Sequence, residues 1–334
     1  MVDFRSEKLA GELLDPRRGF EPAAVELEIR WDPLTRQSAR ILPDAGLLPR
    51  ANGDLQRLAN GTRAGCPFCR DRLETVTPKL LPALSESGRI CVGEAVLFPN
   101  LVPYSKHSSV SVYSPDRHFL PLGELSPRLI GDNLATQIVF ARAATKADPE
   151  SRWVSTNANH MLPAGSSLFH PHLQGSVNPF PTTFQKLLAD VAGAQFRSYL
   201  ESEKRDGTRY LGSTGHVDWL ASFAPLGPAE LRAFVPGVAS PTELDGELTE
   251  EHGGGIATAL GLYADLGFES FNMALYGAPV GTPDYPLNLR MMCRSNPEPL
   301  YRSDATWLER LHWEAAVDIS PERLAEEAAG RFGR

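Results

Sequence analysis

The stretch GSSLFHPHLQ, residues 165–174, places two histidines on either side of a proline, with a glutamine two residues after the second histidine. Alternate residues of an extended strand point to the same face, so His170, His172 and Gln174 would face one site. Pro171 has a fixed φ angle and biases the residue before it toward extended geometry. A histidine pair held this rigidly suits either metal binding or covalent chemistry on a phosphoryl group.

Two of the four cysteines form a second informative motif, Cys66-Pro67-Phe68-Cys69. In a cytosolic protein this spacing is more often a metal or redox pair than a structural disulfide. The other two are Cys91, in an apolar strand-like run, and Cys293, beside a pair of methionines. We predict that both of these are plain buried thiols.

The overall composition is that of a folded protein with an acidic balance. The chain has 334 residues, a formal net charge of −8 at pH 7 and a sequence pI of about 5.6. We therefore expect no nucleic acid as a main partner, and any bound phosphate must be held by local groups. No apolar run is long enough to span a bilayer, and the first residues lack a signal-peptide core. These features predict a cytoplasmic protein with no membrane partner.

The pattern of the first 65 residues predicts two strands and little else. Residues 1–25 read as a polar lead-in. Residues 25–42 are typical of two strands around a turn at Asp32-Pro33-Leu34-Thr35. Residues 43–65 look loop-rich and end at the cysteine pair.

The rest of the chain shows one pattern twice. In the first copy, strands are predicted at 109–113 and 153–157, and apolar residues at helical spacing lie between them from Leu129 to Ala143. A weaker copy of the pattern follows in the segments 219–225, 231–236, 246–263, 270–276 and 287–290. In this copy, Asn288-Leu289-Arg290 falls about where His170-Pro171-His172 falls in the first. The chain is therefore predicted to be a duplicated α+β unit in which only the first half keeps its catalytic strand.

The domain organisation follows from this repeat. We predict an N-terminal catalytic repeat over residues 1–195, which also carries the metal site, and a diverged C-terminal repeat over residues 196–334.

Several short segments together resemble the galactose-1-phosphate uridylyltransferases, the two-repeat branch of the histidine-triad superfamily. They are Asp32-Pro33-Leu34-Thr35, Cys66-Pro67-Phe68-Cys69, Phe98-Pro99-Asn100, Ser114-Pro115-Asp116 with His118, Gly165-Ser166-Ser167 and His170-Pro171-His172-Leu173-Gln174. The resemblance covers roughly residues 26–330. It implies a duplicated histidine-triad-like fold, with antiparallel half-barrel sheets and helices packed outside.

The resemblance also implies the chemistry. His172 matches the family nucleophile, a neutral imidazole that attacks the α-phosphorus and briefly carries a nucleoside monophosphate. Gln174 matches the glutamine that hydrogen-bonds the phosphoryl oxygens. Ser167 and Asn159 stand at the spacings of phosphate-contacting residues, and Asn100 matches an asparagine near the nucleoside. The alternative for Ser167, Asn159 and Asn100 is capping of a turn or a strand end.

One structural zinc is the cofactor that the resemblance implies. Cys66 and Cys69 supply two thiolates, and His118 and His170 resemble the other two ligands. Four protein ligands leave no open position on the metal. His107 is a competing third ligand.

Two departures from the family pattern concern the site around the phosphates. Leu173 replaces a small residue between the second histidine and the glutamine, and we expect its bulk to narrow or reshape the site. The stretch 41–50 lacks the phosphate-contacting arginines of the family at matching places. Arg50 or Arg63 could substitute for them.

Two further departures lie near the C-terminus. Asn288 and Arg290 stand where some members have histidine ligands, so we predict no second metal. Glu314 resembles the glutamate that binds the hexose hydroxyls, although Leu308 and Glu309 differ from the neighbouring sugar contacts. The alternative for Glu314 is a solvated charge on a helix face.

Four functions remain open at this stage. The first is a nucleotidyltransferase that exchanges a nucleoside monophosphate between an NDP-hexose and a sugar-1-phosphate. The resemblance implies that such an enzyme is a homodimer. The second keeps the covalent histidine but uses phosphate or water as acceptor, which gives a phosphorylase or a hydrolase. The third is a thiol–disulfide oxidoreductase that uses Cys66 and Cys69. The fourth is a catalytically inactive, zinc-stabilised binding protein.

Overall fold

The computed structural model describes residues 2–43, 46–47, 53–191, 193–298 and 303–333. Within them the chain forms fourteen strands and eight α-helices. The strands are β1 (Ser6–Asp15), β2 (Glu21–Trp31), β3 (Ser38–Ile41), β4 (Ile90–Val92), β5 (Ala95–Pro99), β6 (His107–Val112), β7 (Trp153–His160), β8 (His172–Asn178), β9 (Tyr210–Thr214), β10 (Val217–Ala221), β11 (Leu231–Val235), β12 (Phe271–Tyr276), β13 (Leu287–Cys293) and β14 (Ala315–Val317). The helices are α1 (Leu55–Arg63), α2 (Arg70–Val76), α3 (Pro127–Ala147), α4 (Thr183–Asp190), α5 (Ala194–Asp206), α6 (Gly246–Asp265), α7 (Trp307–His312) and α8 (Pro321–Glu327).

Ten of the strands form one sheet that shows the duplication directly. Their order is β4-β5-β6-β8-β7-β12-β13-β11-β10-β9, and every pairing in it is antiparallel. Counted inward from either edge of the sheet, the first three strands follow chain order. A helix then crosses over the sheet, and the next two strands lie in the reverse of chain order. The halves meet where β7 pairs with β12. The predicted duplicated α+β unit is therefore confirmed.

Helices α3 and α6 hold equivalent places in the two halves and pack against the same face of the sheet. The main core lies between them and the sheet, and it includes Ile130 and Leu134 of α3 and Ile256 of α6. Each helix starts with a capping side chain. Ser126 accepts a hydrogen bond from the backbone N–H of Leu129, and Asp245 accepts one from that of Leu248. The helix predicted from Leu129 to Ala143 is thus confirmed and slightly extended.

The remaining four strands form a separate sheet in the order β1-β2-β3-β14. The turn between β2 and β3 is held by Asp32, whose Oδ1 accepts hydrogen bonds from the backbone N–H groups of Leu34 and Thr35 at 2.8 and 2.9 Å. The two strands predicted around this turn are confirmed.

Two predictions for the N-terminal region are wrong. Residues 1–25 are not a mere lead-in, because β1 pairs along its whole length with β2 and the two strands form a ribbon. Part of the segment 43–65 is helix α1, which Asp54 caps. This helix folds because Leu55 and Ala59 pack against Met161 and Phe169, partners about a hundred positions away that local sequence does not reveal.

Two further sequence predictions concern boundaries and burial. The proposed division at residue 195 falls inside α5, and the assignment of two domains stays a prediction. Cys293 is buried, as expected, but Cys91 is exposed because it is the middle residue of the edge strand β4. Among the described helices, none combines the length and apolar character needed to cross a membrane.

Candidate active site and metal centre

Strand β8 begins at His172 and presents its first residues alternately to the two faces of the sheet. Leu173 is fully buried in the core beneath α3. His172 and Gln174 therefore point to the opposite face, away from the helices. The expectation that Leu173 narrows the site is wrong, because its side chain lies on the other side of the sheet.

Glycine at position 175 lets β8 approach α3 closely. A Cβ atom there would lie 2.1 Å from Oε1 of Gln137 and 2.4 Å from Oγ of Ser109. Gln137 instead accepts a hydrogen bond from Ser109 and donates one to Ser111, so that it joins α3 to β6. The strand that carries His172 is thus fixed from its helix-covered side.

His172 has one ring nitrogen engaged. Its Nδ1 lies 2.9 Å from the backbone carbonyl oxygen of His170. A carbonyl only accepts, so Nδ1 carries the proton and Nε2 keeps its lone pair. The side chain is buried, and burial lowers the pKa of His172. The ring is therefore neutral near pH 7, with an available lone pair on Nε2.

Four side chains form a compact, buried group suited to a metal. The ligand atoms of Cys66, Cys69, His118 and His170 all lie within 4.8 Å of one another. Nδ1 of His170 is 3.5 Å from Sγ of Cys66, and Nδ1 of His118 is 3.4 Å from Sγ of Cys69. Two sulfurs and two imidazole nitrogens without an open position are typical of a structural zinc site.

Hydrogen bonds set the tautomers of both histidines for metal binding. Nε2 of His170 donates to the carbonyl oxygen of Ser114 at 2.9 Å, which leaves Nδ1 free as a ligand. Thr62 donates its hydroxyl hydrogen to the carbonyl of Ala59, so it accepts from Nε2 of His118 at 3.0 Å. Nδ1 of His118 is then also a free ligand. Ser114 belongs to one of the motifs in the sequence, whereas no sequence pattern indicated a role for Thr62.

Burial disfavours charge within this group of four side chains. Burial, followed by the neighbouring Cys66, raises the pKa of the Cys69 thiol to about 12. Burial lowers the pKa of His170 to about 4. A metal ion that binds here would have to displace the proton of the Cys69 thiol. Buried thiols that share two imidazoles do not suit exchange with an external disulfide, which weakens the oxidoreductase interpretation.

His107, the competing third ligand, lies elsewhere. Its Nε2 is 2.9 Å from a carboxylate oxygen of Asp148, which also pairs with Lys106 at 2.6 Å. Hydrogen bonds from Lys106 and His107 lower the pKa of Asp148. The structure thus brings His118, and not His107, to the cysteines.

Phe68 links the cysteine loop to the start of strand β8. Its ring centroid lies 5.3 Å from that of His172 and 6.0 Å from that of His170, edge to face in both cases. Phe98 packs against its other side at 5.2 Å. A change in the cysteine loop would therefore reach His172 directly.

The polar residues predicted around the phosphates lie on the strands and loop beside His172. Asn159 is on β7, and its Oδ1 accepts a hydrogen bond from Asn272 at 2.7 Å. Ser167 is exposed in the loop before β8, where the neighbouring Ser166 makes the turn contact through its hydroxyl to Leu168. In the described part of the chain, the hydroxyl of Ser167 and the carboxamide of Gln174 make no hydrogen bond and are free for a ligand.

Asn100 and Glu314 have local partners. Oδ1 of Asn100 accepts a hydrogen bond from the backbone N–H of Val102 at 3.2 Å. Asn100 thus caps a turn, which is the alternative to a contact with the nucleoside. Glu314 is not on a helix face; it precedes β14 and binds Ser38 at 2.7 Å and Arg40 at 2.9 Å. None of these hydrogen bonds reaches β8.

Of the two arginines considered as substitutes, Arg50 lies outside the described residues. Arg63 ends helix α1, and its positive charge, after burial, lowers the pKa of His118. Arg63 is therefore a described arginine whose charge acts on the metal group.

In the second half, strand β13 holds the place of β8 and contributes Arg290 to a buried ion cluster. Arg290 binds Glu230 at 2.8 Å and Asp32 at 3.1 Å, and Arg232 binds Asp32 at 3.1 Å. A guanidinium group repels a metal cation, which agrees with the expectation that Asn288 and Arg290 hold none. A separate exposed group of possible ligands consists of His216, Glu247 and Glu251, so the absence of a second metal stays a prediction.

No family model matches this chain. An uncharacterized protein of Archaeoglobus fulgidus is 30% identical over 334 residues, which is 98% of each chain. A crystal structure of an ADP-glucose phosphorylase from Arabidopsis thaliana, with bound ADP-glucose, superposes with a TM-score of 0.67 at 17% identity and covers 91% of this chain and 99% of its own.

Two further solved structures are similar. A protein from Arabidopsis thaliana described as like galactose-1-phosphate uridylyltransferase gives a TM-score of 0.67 at 18% identity, over 90% of this chain and 98% of its own. A uridylyltransferase gives 0.60 at 20% identity, over 91% and 98%. At these identities the likeness shows a shared fold, and it confirms the duplicated histidine-triad-like fold expected from the motifs.

Proposed function

Because this chain belongs to one family with the Archaeoglobus fulgidus protein and has the fold of the galactose-1-phosphate uridylyltransferases, we propose that it is a nucleotidyltransferase. It moves a nucleoside monophosphate from an NDP-hexose to a sugar-1-phosphate by a ping-pong route. His172 is the group that carries the nucleotide between the two half-reactions.

The geometry of His172 is the observation that carries this proposal. In the first half-reaction, Nε2 attacks the α-phosphorus, a P–N bond forms, and the P–O bond to the departing sugar-1-phosphate breaks. In the second, a phosphate oxygen of the incoming acceptor attacks the same phosphorus and the P–N bond breaks. Nδ1 keeps its proton throughout, and its bond to the carbonyl of His170 stabilises the positive charge that develops on the ring.

Donors beside His172 support the charged phosphoryl group. Gln174 shares a strand face with His172, and Asn159 and Ser167 stand on the adjoining strand and loop. Preorganised donors of this kind typically contribute about 3 kcal/mol each to transition-state stabilisation. We assign all three to the phosphates, and we assign Asn100 and Glu314 to the nucleoside and the hexose.

The four-residue cluster would hold one zinc ion through Cys66, Cys69, His118 and His170. When bound, the ion supplies structural cross-linking and no open coordination position for substrate. It ties the cysteine loop to the loop before β8, and Phe68 extends that link to the ring of His172.

A phosphorylase that uses the same intermediate is the second candidate. Inorganic phosphate would then replace the sugar-1-phosphate as acceptor. The similar Arabidopsis structure described as an ADP-glucose phosphorylase favours this candidate. In either candidate the hexose of the donor would meet Glu314, whose two carboxylate oxygens already bind Ser38 and Arg40. Hexose hydroxyls would have to compete with these partners.

The test is covalent labelling with UDP-glucose and ADP-glucose that carry ³²P at the α-phosphorus. We expect acid-labile, base-stable label on the wild-type protein and none on His172→Asn. The matched control is His107→Asn, which lies outside the cluster and should label normally. Chasing the label with galactose-1-phosphate or with inorganic phosphate separates the two candidates. Label retained by His172→Asn would refute the proposal.

We also propose that the protein acts in the cytoplasm as a homodimer and that the ribbon of β1 and β2 contributes to the interface. Leu9 pairs with Leu27, and Leu13 pairs with Ala23, on one apolar face. A two-stranded ribbon is only marginally stable alone. Light scattering should show a dimer that Leu9→Asp with Leu13→Asp weakens. Leu14→Asp, on the opposite face, is the control and should leave the mass unchanged.

A further inference from the structure

Asn272, in the second half of the chain, lies directly beside a residue of the proposed phosphate site. It is opposite Asn159 in the pairing of β12 with β7, at the seam between the two repeats. Its side chain makes three hydrogen bonds, and each has only one possible direction. That network fixes how Asn159 is oriented.

The directions follow from the chemistry of the partners. Arg294 can only donate, so its Nη1, 2.8 Å away, must meet the carbonyl oxygen of the Asn272 side chain. The nitrogen of that side chain then donates to the backbone carbonyl of Ala164 at 2.8 Å and to Oδ1 of Asn159 at 2.7 Å. Both of its hydrogens are thereby used.

Arg294 is itself held firmly. Its Nε lies 2.9 Å from Asp304, and its second terminal nitrogen pairs with the other oxygen of the same carboxylate. The backbone N–H of Ser295 also donates to Asp304 at 2.8 Å. A bidentate arginine–carboxylate pair of this kind has little freedom to rotate.

Among the residues that the structure describes, Asn159 therefore has its oxygen committed to Asn272 and no hydrogen-bond partner for its nitrogen. Nδ2 faces the loop before β8, because a Cβ atom on Gly165 would lie 3.9 Å from it. This loop continues into Ser167 and the two histidines. Were the amide turned over, an oxygen would face the phosphates and repel them.

We propose that Asn272 and Arg294 are positioning residues, which orient Asn159 so that it presents N–H donors to the anion bound at His172. The inference rests on the proposed function for the identity of the anion. It gives the second repeat a defined role in the chemistry of the first repeat, in addition to forming half of the ten-stranded sheet.

The decisive substitution is Asn272→Asp. The new carboxylate still accepts from Arg294 but cannot donate, so Asn159 must turn its Nδ2 toward it and its oxygen toward the phosphates. We expect the rate of covalent labelling at saturating nucleotide sugar to fall about 10- to 100-fold. Asn60→Asp, on the exposed surface of α1, is the matched control and should label at the wild-type rate.

A double-mutant cycle separates positioning from a structural role. In an Asn159→Ala background there is no amide to orient, so Asn272→Asp should cause no further loss of labelling rate. An equal loss in both backgrounds would show that Asn272 acts independently of Asn159 and would overturn the inference.

A second measurement does not depend on activity. In protein labelled with ¹⁵N-asparagine, the side-chain amide signal of Asn159, assigned by its loss in Asn159→Ala, should exchange quickly with water in the wild type. In Asn272→Asp it should shift and exchange slowly, because it now donates to a carboxylate. An unchanged signal would overturn the inference. If no nucleotide sugar labels the wild type, the proposed function fails, and this signal still decides the orientation of Asn159.

Discussion

Nδ1 of His172 lies 2.9 Å from the carbonyl oxygen of His170, whose own ring turns Nδ1 toward the sulfur of Cys66. The side chain of His170 would thus bind the metal, while its backbone orients the ring of His172, the proposed nucleophile. Pro171 between them restricts the rotation that could separate the two functions. Metal binding and activity should therefore fail together.

Removing a metal ligand should disable the catalytic strand. Cys66→Ser should lower the zinc content from about one ion per chain to well below half, and it should lower covalent labelling to a similar extent, because His170 loses its anchor. Elemental analysis of protein purified without chelator measures the first effect. The control is Cys91→Ser, at an exposed cysteine outside the cluster. Full labelling by metal-free Cys66→Ser would contradict the coupling.

The buried ion cluster should contribute strongly to stability. Burial would by itself raise the pKa of Asp32, but Arg232 and Arg290 outweigh this effect and lower it. Asp32→Asn would leave two guanidinium groups buried without that carboxylate, so we expect a loss of about 3–5 kcal/mol in the free energy of unfolding. Urea denaturation at pH 7 measures it.

A matched control exists on the surface for the ion cluster. Asp116 pairs with Arg70 at 2.7 Å, but both side chains are exposed. Asp116→Asn should therefore cost no more than about 1 kcal/mol. Equal losses for the two variants would show that burial of the cluster is not what matters.

Leu173 should matter for stability and not for catalysis. Leu173→Ala removes a fully buried side chain from the core beneath α3, at an expected cost of about 2–5 kcal/mol in the free energy of unfolding. Labelling measured well below the melting temperature should stay near the wild-type rate. Leu81→Ala, where the leucine is mostly exposed, is the control for stability. A selective change in substrate preference would restore the idea that Leu173 shapes the site.

His160 should make stability depend on pH. Burial, and then the neighbouring His172, lowers the pKa of His160 to about 3, below its ordinary value of 6.5. As pH falls, His160 therefore takes up a proton in the unfolded chain before it does so in the folded protein. The stability that depends on a neutral His160 is present above pH 6.5 and is lost toward pH 3. The slope from this one group approaches about 1.4 kcal/mol per pH unit.

Replacing His160 tests that assignment. His160→Phe can keep the stacking contact with Phe271 and should flatten the dependence of unfolding free energy on pH between about pH 4 and 6. His312→Phe, at an exposed histidine, should leave the slope unchanged. A slope that is the same in His160→Phe and the wild type would show that other groups take up the proton.

The elements that could be predicted were those with strong local signals. The alternation at 109–113 and the apolar spacing from Leu129 predicted β6 and α3 because period and burial are both local properties. Helix α1 and strand β1 were missed because their partners are remote or lie across a hairpin. The exposure of Cys91 was missed because an edge position is a property of the whole sheet.

The candidate site divides in the same way. The sequence by itself predicted that His172 and Gln174 share a strand face, and it indicated the cysteine pair and the duplication, because residue type and spacing are read directly from the chain. Only the tertiary structure decided that His118 joins the cysteines, that Leu173 lies beneath the sheet, and that Asn272 orients Asn159. These relationships join residues that are distant in the chain or depend on which face the core covers. Packing and hydrogen-bond direction, and not local pattern, therefore decide them.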